Sequence, residues 1–64
     1  MEIIYNNISK MAKEQGVTIA QIEKSAGIAN GIIGGWRKSS PTIESLKKVA
    51  DVLSVSLSDL IEGI

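Results

Sequence analysis

The sequence predicts an all-α fold of five short helices. Apolar residues recur at spacings of three and four, as in Ile4-Ile8-Met11, Ile19-Ile22-Ala26 and Ile43-Leu46-Val49-Ala50-Leu53, which gathers each set on one face of a helix. Residues that start and stop helices punctuate these runs. Gly16 and Gly27 follow two of them, and Thr18 and Ser56 stand where two helices begin. No convincing run alternates apolar and polar residues as a half-buried strand does.

The first helix is expected over 2–15, with Ile4, Ile8 and Met11 on its inner face. Gly16 stops it, because glycine accepts the left-handed conformation that ends helices. The second is expected over 18–26. Thr18 and Gln21 have capping-box spacing, and Val17 and Ile22 sit where a hydrophobic staple forms. Gly27 ends it. The third is expected over 30–38, with Ala29, Ile32, Ile33 and Trp36 on one arc and Asn30, Gly31, Gly34, Gly35 and Lys38 on the other. Its three glycines cost about 1 kcal/mol each relative to alanine, so this element depends on packing by Ile33 and Trp36. Asn30-Gly31 is also a hairpin-turn signal, but no strands flank it. Ser39-Ser40-Pro41-Thr42 forms a loop in which Thr42 or Ser40 can cap a fourth helix over 42–53. The fifth, over 56–62, repeats the start logic: Ser56 caps, Asp59 lies three residues on, and Val55 staples to Leu60.

A chain of 64 residues is read as one domain, 1–64. At this size only about 60% of the unfolded surface is buried, so the core must be well patterned. There is no Cys and no His. Disulfides, thiolate ligands, zinc sites and imidazole acid–base chemistry are largely excluded on that ground, and no cofactor is expected. No apolar run nears the roughly 20 residues of a membrane-spanning helix. The N-terminus lacks the basic start and apolar stretch of a signal peptide. The expectation is a soluble cytoplasmic protein.

Seven basic and seven acidic residues cancel, which counts against nucleic-acid binding if only the sum is considered. Their distribution is uneven. Residues 30–50 carry Arg37, Lys38, Lys47 and Lys48 against Glu44, a net of +3, while residues 51–64 carry only Asp51, Asp59 and Glu62, a net of −3. A basic middle and an acidic tail suit one face that meets phosphate, and they equally suit ordinary solvated helix faces.

The second and third helices are joined by Gly27-Ile28-Ala29. A three-residue connection opening on glycine lets two helices cross steeply. In DNA-binding proteins this unit lays its second helix in the major groove, and the first helix can hold a phosphate at its N-terminus. The stretch Gly16-Val17-Thr18-Ile19-Ala20-Gln21-Ile22-Glu23-Lys24-Ser25-Ala26-Gly27-Ile28-Ala29-Asn30-Gly31 resembles the Cro/C1-type, phage-repressor-like helix-turn-helix family. So do Trp36-Arg37-Lys38-Ser39-Ser40-Pro41-Thr42-Ile43-Glu44-Ser45-Leu46-Lys47-Lys48-Val49-Ala50 and the ending Leu53-Ser54-Val55-Ser56-Leu57-Ser58-Asp59-Leu60-Ile61. The resemblance covers nearly the whole chain, and its specificity lies in the ordered set of segments.

That resemblance implies a compact five-helix, lambda-repressor-like DNA-binding domain. It implies transcriptional control, as a phage or mobile-element repressor, by a homodimer on a pseudo-palindromic double-stranded operator. Matching positions put Thr18 and Ile19 near phosphate. They put Asn30, Gly31, Gly34 and Gly35 on the groove-facing surface, and Arg37, Lys38, Ser39 and Ser40 near the backbone at the far end.

One departure bears on mechanism. Relatives carry polar or basic side chains along the exposed face of the third helix, where this chain has Gly31-Ile32-Ile33-Gly34-Gly35. Glycine offers no donor or acceptor to a base edge. Asn30 and Lys38 remain, and Ile32 can touch a thymine methyl. The expectation is weak sequence discrimination, with affinity carried by phosphate contacts and DNA shape.

Several of these residues also have plainer roles. Asn30 can cap its own helix. Trp36 belongs in the core. Arg37 and Lys38 suit a helix C-terminus. Lys47 and Lys48 point to solvent, with Glu44 an i,i+4 partner of Lys48. A rival function is a protein-interaction module on the same fold that binds an antirepressor or a toxin. Apolar residues near Leu57, Ile61 and Ile64 would then form a partner or homodimer surface. An enzyme is disfavoured, because the chain offers only scattered carboxylates.

Overall fold

The computed structural model describes residues 2–62. Its five helices are α1 (Glu2–Gln15), α2 (Ile19–Ala26), α3 (Ile32–Gly35), α4 (Ile43–Leu53) and α5 (Leu57–Ile61), with no strand among the described residues. Their inner faces close on one core. Ile4, Ile8 and Ala12 enter it from α1, Ile22 from α2, Ile33 and Trp36 from α3 and its end, Leu46, Val49, Ala50 and Leu53 from α4, and Leu60 from α5. Met11 lies at the rim, half-buried. The main helix pairings are α2 on α4 and α1 on α5, while α3 packs on α2.

Local chemistry sets most helix ends. Thr18, Thr42 and Ser56 each accept a hydrogen bond from the backbone N–H three residues on, and α2 and α5 close full capping boxes through Gln21 and Asp59. Thr42, rather than Ser40, caps α4. At the other ends Gly16 and Gly27 take φ of 72°, and Ser54 takes 58°, the left-handed residue that lets following N–H groups return to the last carbonyls. Two amide side chains on α1 satisfy further carbonyls. Asn7 Nδ2 donates to Leu60 O and Glu62 O at 2.9 Å each, and Gln15 Nε2 donates to Leu53 O at 2.8 Å. These bonds tie α1 to the ends of α4 and α5, where orphan carbonyls would otherwise need water.

The third helix departs from expectation. Its α-helical part is four residues long, Ile32–Gly35, rather than 30–38. Beyond it the chain tightens: Trp36, Arg37 and Lys38 donate to the carbonyls of Ile33, Gly34 and Gly35, each three residues back. Gly31, at φ 95°, occupies the N-cap position and has no side chain with which to cap. Asn30 stands one residue outside that position, so the capping role open to it is not used. Ile33 and Trp36 are buried as expected, but Ala29 and Ile32 are exposed. Ala29 lies in the connecting turn, before the helical period begins. Ile32 lies on the outer edge of too short a helix to carry it inward. Ile64, one of the apolar residues considered for a partner surface, is outside the described residues.

Candidate nucleic-acid interface

The helix-turn-helix is α2, the turn through Gly31, and α3. Gly27 N–H donates to Lys24 O and Ile28 N–H to Glu23 O, so the chain leaves α2 sharply. Ile28 is half-buried and packs against the core, which anchors the turn. At the start of α2, Thr18 Oγ1 accepts from Gln21 N–H at 3.1 Å, and Gln21 Oε1 accepts from Thr18 N–H at 2.8 Å. The Thr18 hydroxyl proton is left to donate outward, beside the orphan N–H groups of the first helical turn. Ile19, the first residue of α2, is half-buried and packs against the core, so its backbone N–H, and not its apolar side chain, is the group suited to an anion.

Asn30, Gly31, Ile32 and Gly35 are exposed, and Gly34 is half-buried. The glycines are of two kinds. Gly31 has a positive φ that an L side chain adopts only with strain, whereas a Cβ at Gly34 or Gly35 would meet nothing within 4 Å. Nothing in the folded chain therefore requires Gly34 and Gly35 to lack side chains. They leave the outer edge of α3 as nearly bare backbone, with Ile32 its one large side chain, 41% exposed.

Arg37 is exposed yet held. Its guanidinium lies over the Tyr5 ring of α1, 5.3 Å from the centroid, and Nε donates to Gly34 O at 3.4 Å. A cation over an aromatic face is attracted by the ring quadrupole, so Tyr5 fixes where Arg37 presents its remaining donors. Ser39 Oγ donates to Gly35 O at 3.0 Å, closing the turn after α3. Lys38 and Ser40 are exposed, as are Lys47 and Lys48. Lys48 pairs with Glu44 at 3.6 Å, the i,i+4 pair expected from spacing.

Two residues of this region were not legible as functional from sequence. Tyr5 carries no local motif that points to Arg37, 32 positions away. Glu23 does carry a signal. At 100° per residue it falls beside Ile19, Ile22 and Ala26 on the apolar arc of α2, where a carboxylate needs partners. It is 3% exposed, and its Oε2 accepts from Gly31 N–H at 3.0 Å and from Ile33 N–H at 2.9 Å. Among the described residues, no group of His, Cys, Asp or Glu could hold a metal ion, and no helix is long and apolar enough to cross a membrane.

Comparison with known proteins agrees with this geometry. The model of the Cro/C1-type HTH DNA-binding domain matches residues 7–64. The chain matches no curated protein sequence. Among solved structures it is similar to the N-terminal DNA binding domain of SinR from Bacillus subtilis, with 28% identity and a TM-score of 0.87 over 97% of this chain and 94% of that one. It is also similar in fold to the P22 c2 repressor protein in complex with a synthetic operator, with 23% identity and a TM-score of 0.82 over the whole of both chains.

Proposed function

The chain belongs to the Cro/C1-type helix-turn-helix DNA-binding family, and on that premise we propose that it is a transcriptional repressor that seats α3 in the major groove of a double-stranded operator. The observation that carries this reading is the outer surface of the α2–turn–α3 unit, open to solvent, with Arg37 and Lys38 at its far end. One solved structure of this fold is a repressor in complex with a synthetic operator, which supports DNA as the ligand of this surface.

The roles follow from geometry. The Thr18 hydroxyl and the free N–H of Ile19 hold a phosphate at the start of α2. Asn30 is the side chain best suited to a base edge, since its amide both donates and accepts. Gly31, Gly34 and Gly35 let the α3 backbone approach the groove closely, and Ile32 meets a thymine methyl. Arg37, positioned by Tyr5, joins Lys38 and Ser40 on the phosphates beyond, while Ser39, whose N–H and hydroxyl both donate to Gly35 O, closes the turn that carries them. Few of these groups read bases, so specificity is modest and shape-dependent. We assign the reading to a single domain over 1–64 that acts in the cytoplasm. It works as a homodimer whose contact includes Leu57 and Ile61; Ile61 is 42% exposed on α5, although its helix supplies the core with Leu60.

The test is a titration of the chain with duplex from upstream of its own gene and with scrambled duplex, at low and moderate salt, followed by anisotropy of labelled DNA. Preference for the native duplex supports an operator-reading repressor. Equal, steeply salt-dependent binding to both supports a DNA-binding domain whose affinity rests on phosphate. Absence of binding to either duplex, from folded protein at low salt, overturns the proposal and favours a protein partner for the same surface.

A further inference from the structure

Every helix must satisfy its first N–H groups, and a residue at or near the cap position does so locally for α2, α4 and α5. The third helix has no such means. Its N-cap is Gly31, without a side chain, and Gly34 and Gly35 add no packing. Only Ile33 and the Trp36 that follows anchor it in the core. The element on which groove contact depends is therefore the one least able to form by itself.

We infer that Glu23 is the positioning residue for α3: a carboxylate from the middle of α2 that caps the DNA-contacting helix from outside it. This rests on the DNA-binding reading above. One oxygen, Oε2, accepts both Gly31 N–H and Ile33 N–H, eight and ten residues further along the chain. Hydrogen bonds from backbone N–H to a carboxylate are shorter and stronger than neutral ones. Two of them on one atom define a direction as well as a distance. Glu23 is 3% exposed, and among the described residues no buried side-chain oxygen or nitrogen is left without a partner. The positive φ of Gly31 turns the backbone so that its own N–H and that of Ile33 converge on the same oxygen. Glu23 and Gly31 thus form one device, with the side chain supplied by α2 and the backbone shape by the turn.

The device has a consequence for DNA contact. A helix N-terminus in this motif is a natural phosphate site, but the Gly31 and Ile33 amides already face a carboxylate. Phosphate is excluded from the start of α3, so the backbone must be held at the start of α2 and at 37–40. In this arrangement α3 meets bases and groove walls only.

The experiment compares Glu23→Gln, Glu23→Asp and Glu23→Ala in the 64-residue chain. It measures amide hydrogen exchange without DNA and anisotropy on a labelled mixed-sequence duplex at low salt. Glutamine keeps an oxygen at the same reach, aspartate keeps the charge but withdraws it by one methylene, and alanine removes both. Gly31 and Ile33 amides in the alanine and aspartate variants should exchange about tenfold faster or more, relative to α4 amides, because a buried donor at Ile33 and a part-buried one at Gly31 lose their acceptor. DNA affinity should fall in the same two variants, and glutamine should restore both readouts. Unchanged relative exchange in the aspartate variant, or DNA binding rescued by aspartate and not by glutamine, overturns the inference, and this pair decides even if alanine unfolds the chain. Wild-type protein that fails to bind any duplex overturns the DNA-binding reading and the positioning role that rests on it. The exchange data still decide separately whether Glu23 holds α3.

Discussion

The two helices of the helix-turn-helix are neighbours in the chain, yet they are built by opposite means. α2 carries its own start in the Thr18–Gln21 capping box and its own stop in Gly27 at φ 72°. α3 is four residues long, half of them glycine, and takes its cap from Glu23 in the helix before it. A helix of that length is far below what propagates alone in water. The difference shows where rigidity in this domain originates. α2, backed by α4, is the frame, and α3 is a short piece of backbone fastened to that frame by Ile33, Trp36 and one carboxylate. The surface proposed to meet DNA owes its shape to residues that do not face DNA.

The largest effect should come from removing the deepest fastening. Trp36 is 4% exposed and Ile33 fully buried. Trp36→Ala should destabilise the chain by about 3–5 kcal/mol, the range for deleting a buried aromatic, which is comparable with the whole stability of a domain this small. Chemical denaturation followed by circular dichroism checks it, since the variant loses the only tryptophan. A variant that melts with the wild type would mean that α3 does not depend on the core.

Next in size is Gly31→Ala. At φ 95° an L residue carries backbone strain of about 1–3 kcal/mol, although there is room for the methyl itself. The loss should be concentrated in α3: exchange at Gly35 and Trp36 amides should rise more than at α4 amides. Uniform loosening would instead mean that α3 and the frame open together.

These two positions also show how much could be read in advance. The fold class was legible because α1, α2, α4 and α5 carry local signals in register with one another: apolar periods, Thr18 and Ser56 caps, Gly16 and Gly27 stops. Local periodicity failed at α3. An arc drawn from Ala29 to Trp36 presumed a helix long enough to turn Ala29 and Ile32 inward, and the chain spends Asn30 and Gly31 on the turn instead. The site was legible as a set of exposed positions. Its support was not, because Glu23 is recognisable only as a carboxylate on an apolar arc and Tyr5 only through a contact between distant segments. Such pairings depend on tertiary structure, which no window along the sequence contains.

A smaller effect tests the frame. Thr18→Ala removes one acceptor from the α2 start and should cost about 1 kcal/mol. Because α2 is also packed on α4, the variant should stay folded. Its DNA affinity should fall, since the same hydroxyl is proposed to donate to phosphate, while Thr18→Ser should keep both stability and binding. Thermal melts and duplex titration of the two variants separate cap from contact. If alanine loses stability but binds DNA as well as wild type, Thr18 serves only the helix.

The smallest effect is the most discriminating, because it should have opposite signs in the two measurements. A Cβ at Gly34 or Gly35 meets nothing within 4 Å, and neither residue has a positive φ. Gly34→Ala and Gly35→Ala should therefore stabilise the folded chain by roughly 0.5–1 kcal/mol each, by lowering the entropy lost on helix formation. If glycine is there so that backbone can lie close to the groove, the same methyls should weaken DNA binding while thermal stability rises. A gain in stability with unchanged affinity would show that the bare edge of α3 is not the contacting surface and would shift the contact toward Asn30 and Arg37. Loss of stability would contradict the open space around both residues. An opposed pair of signs would mean that α3 forgoes stability for close approach to DNA, with Glu23 supplying from α2 the order that the glycines withhold.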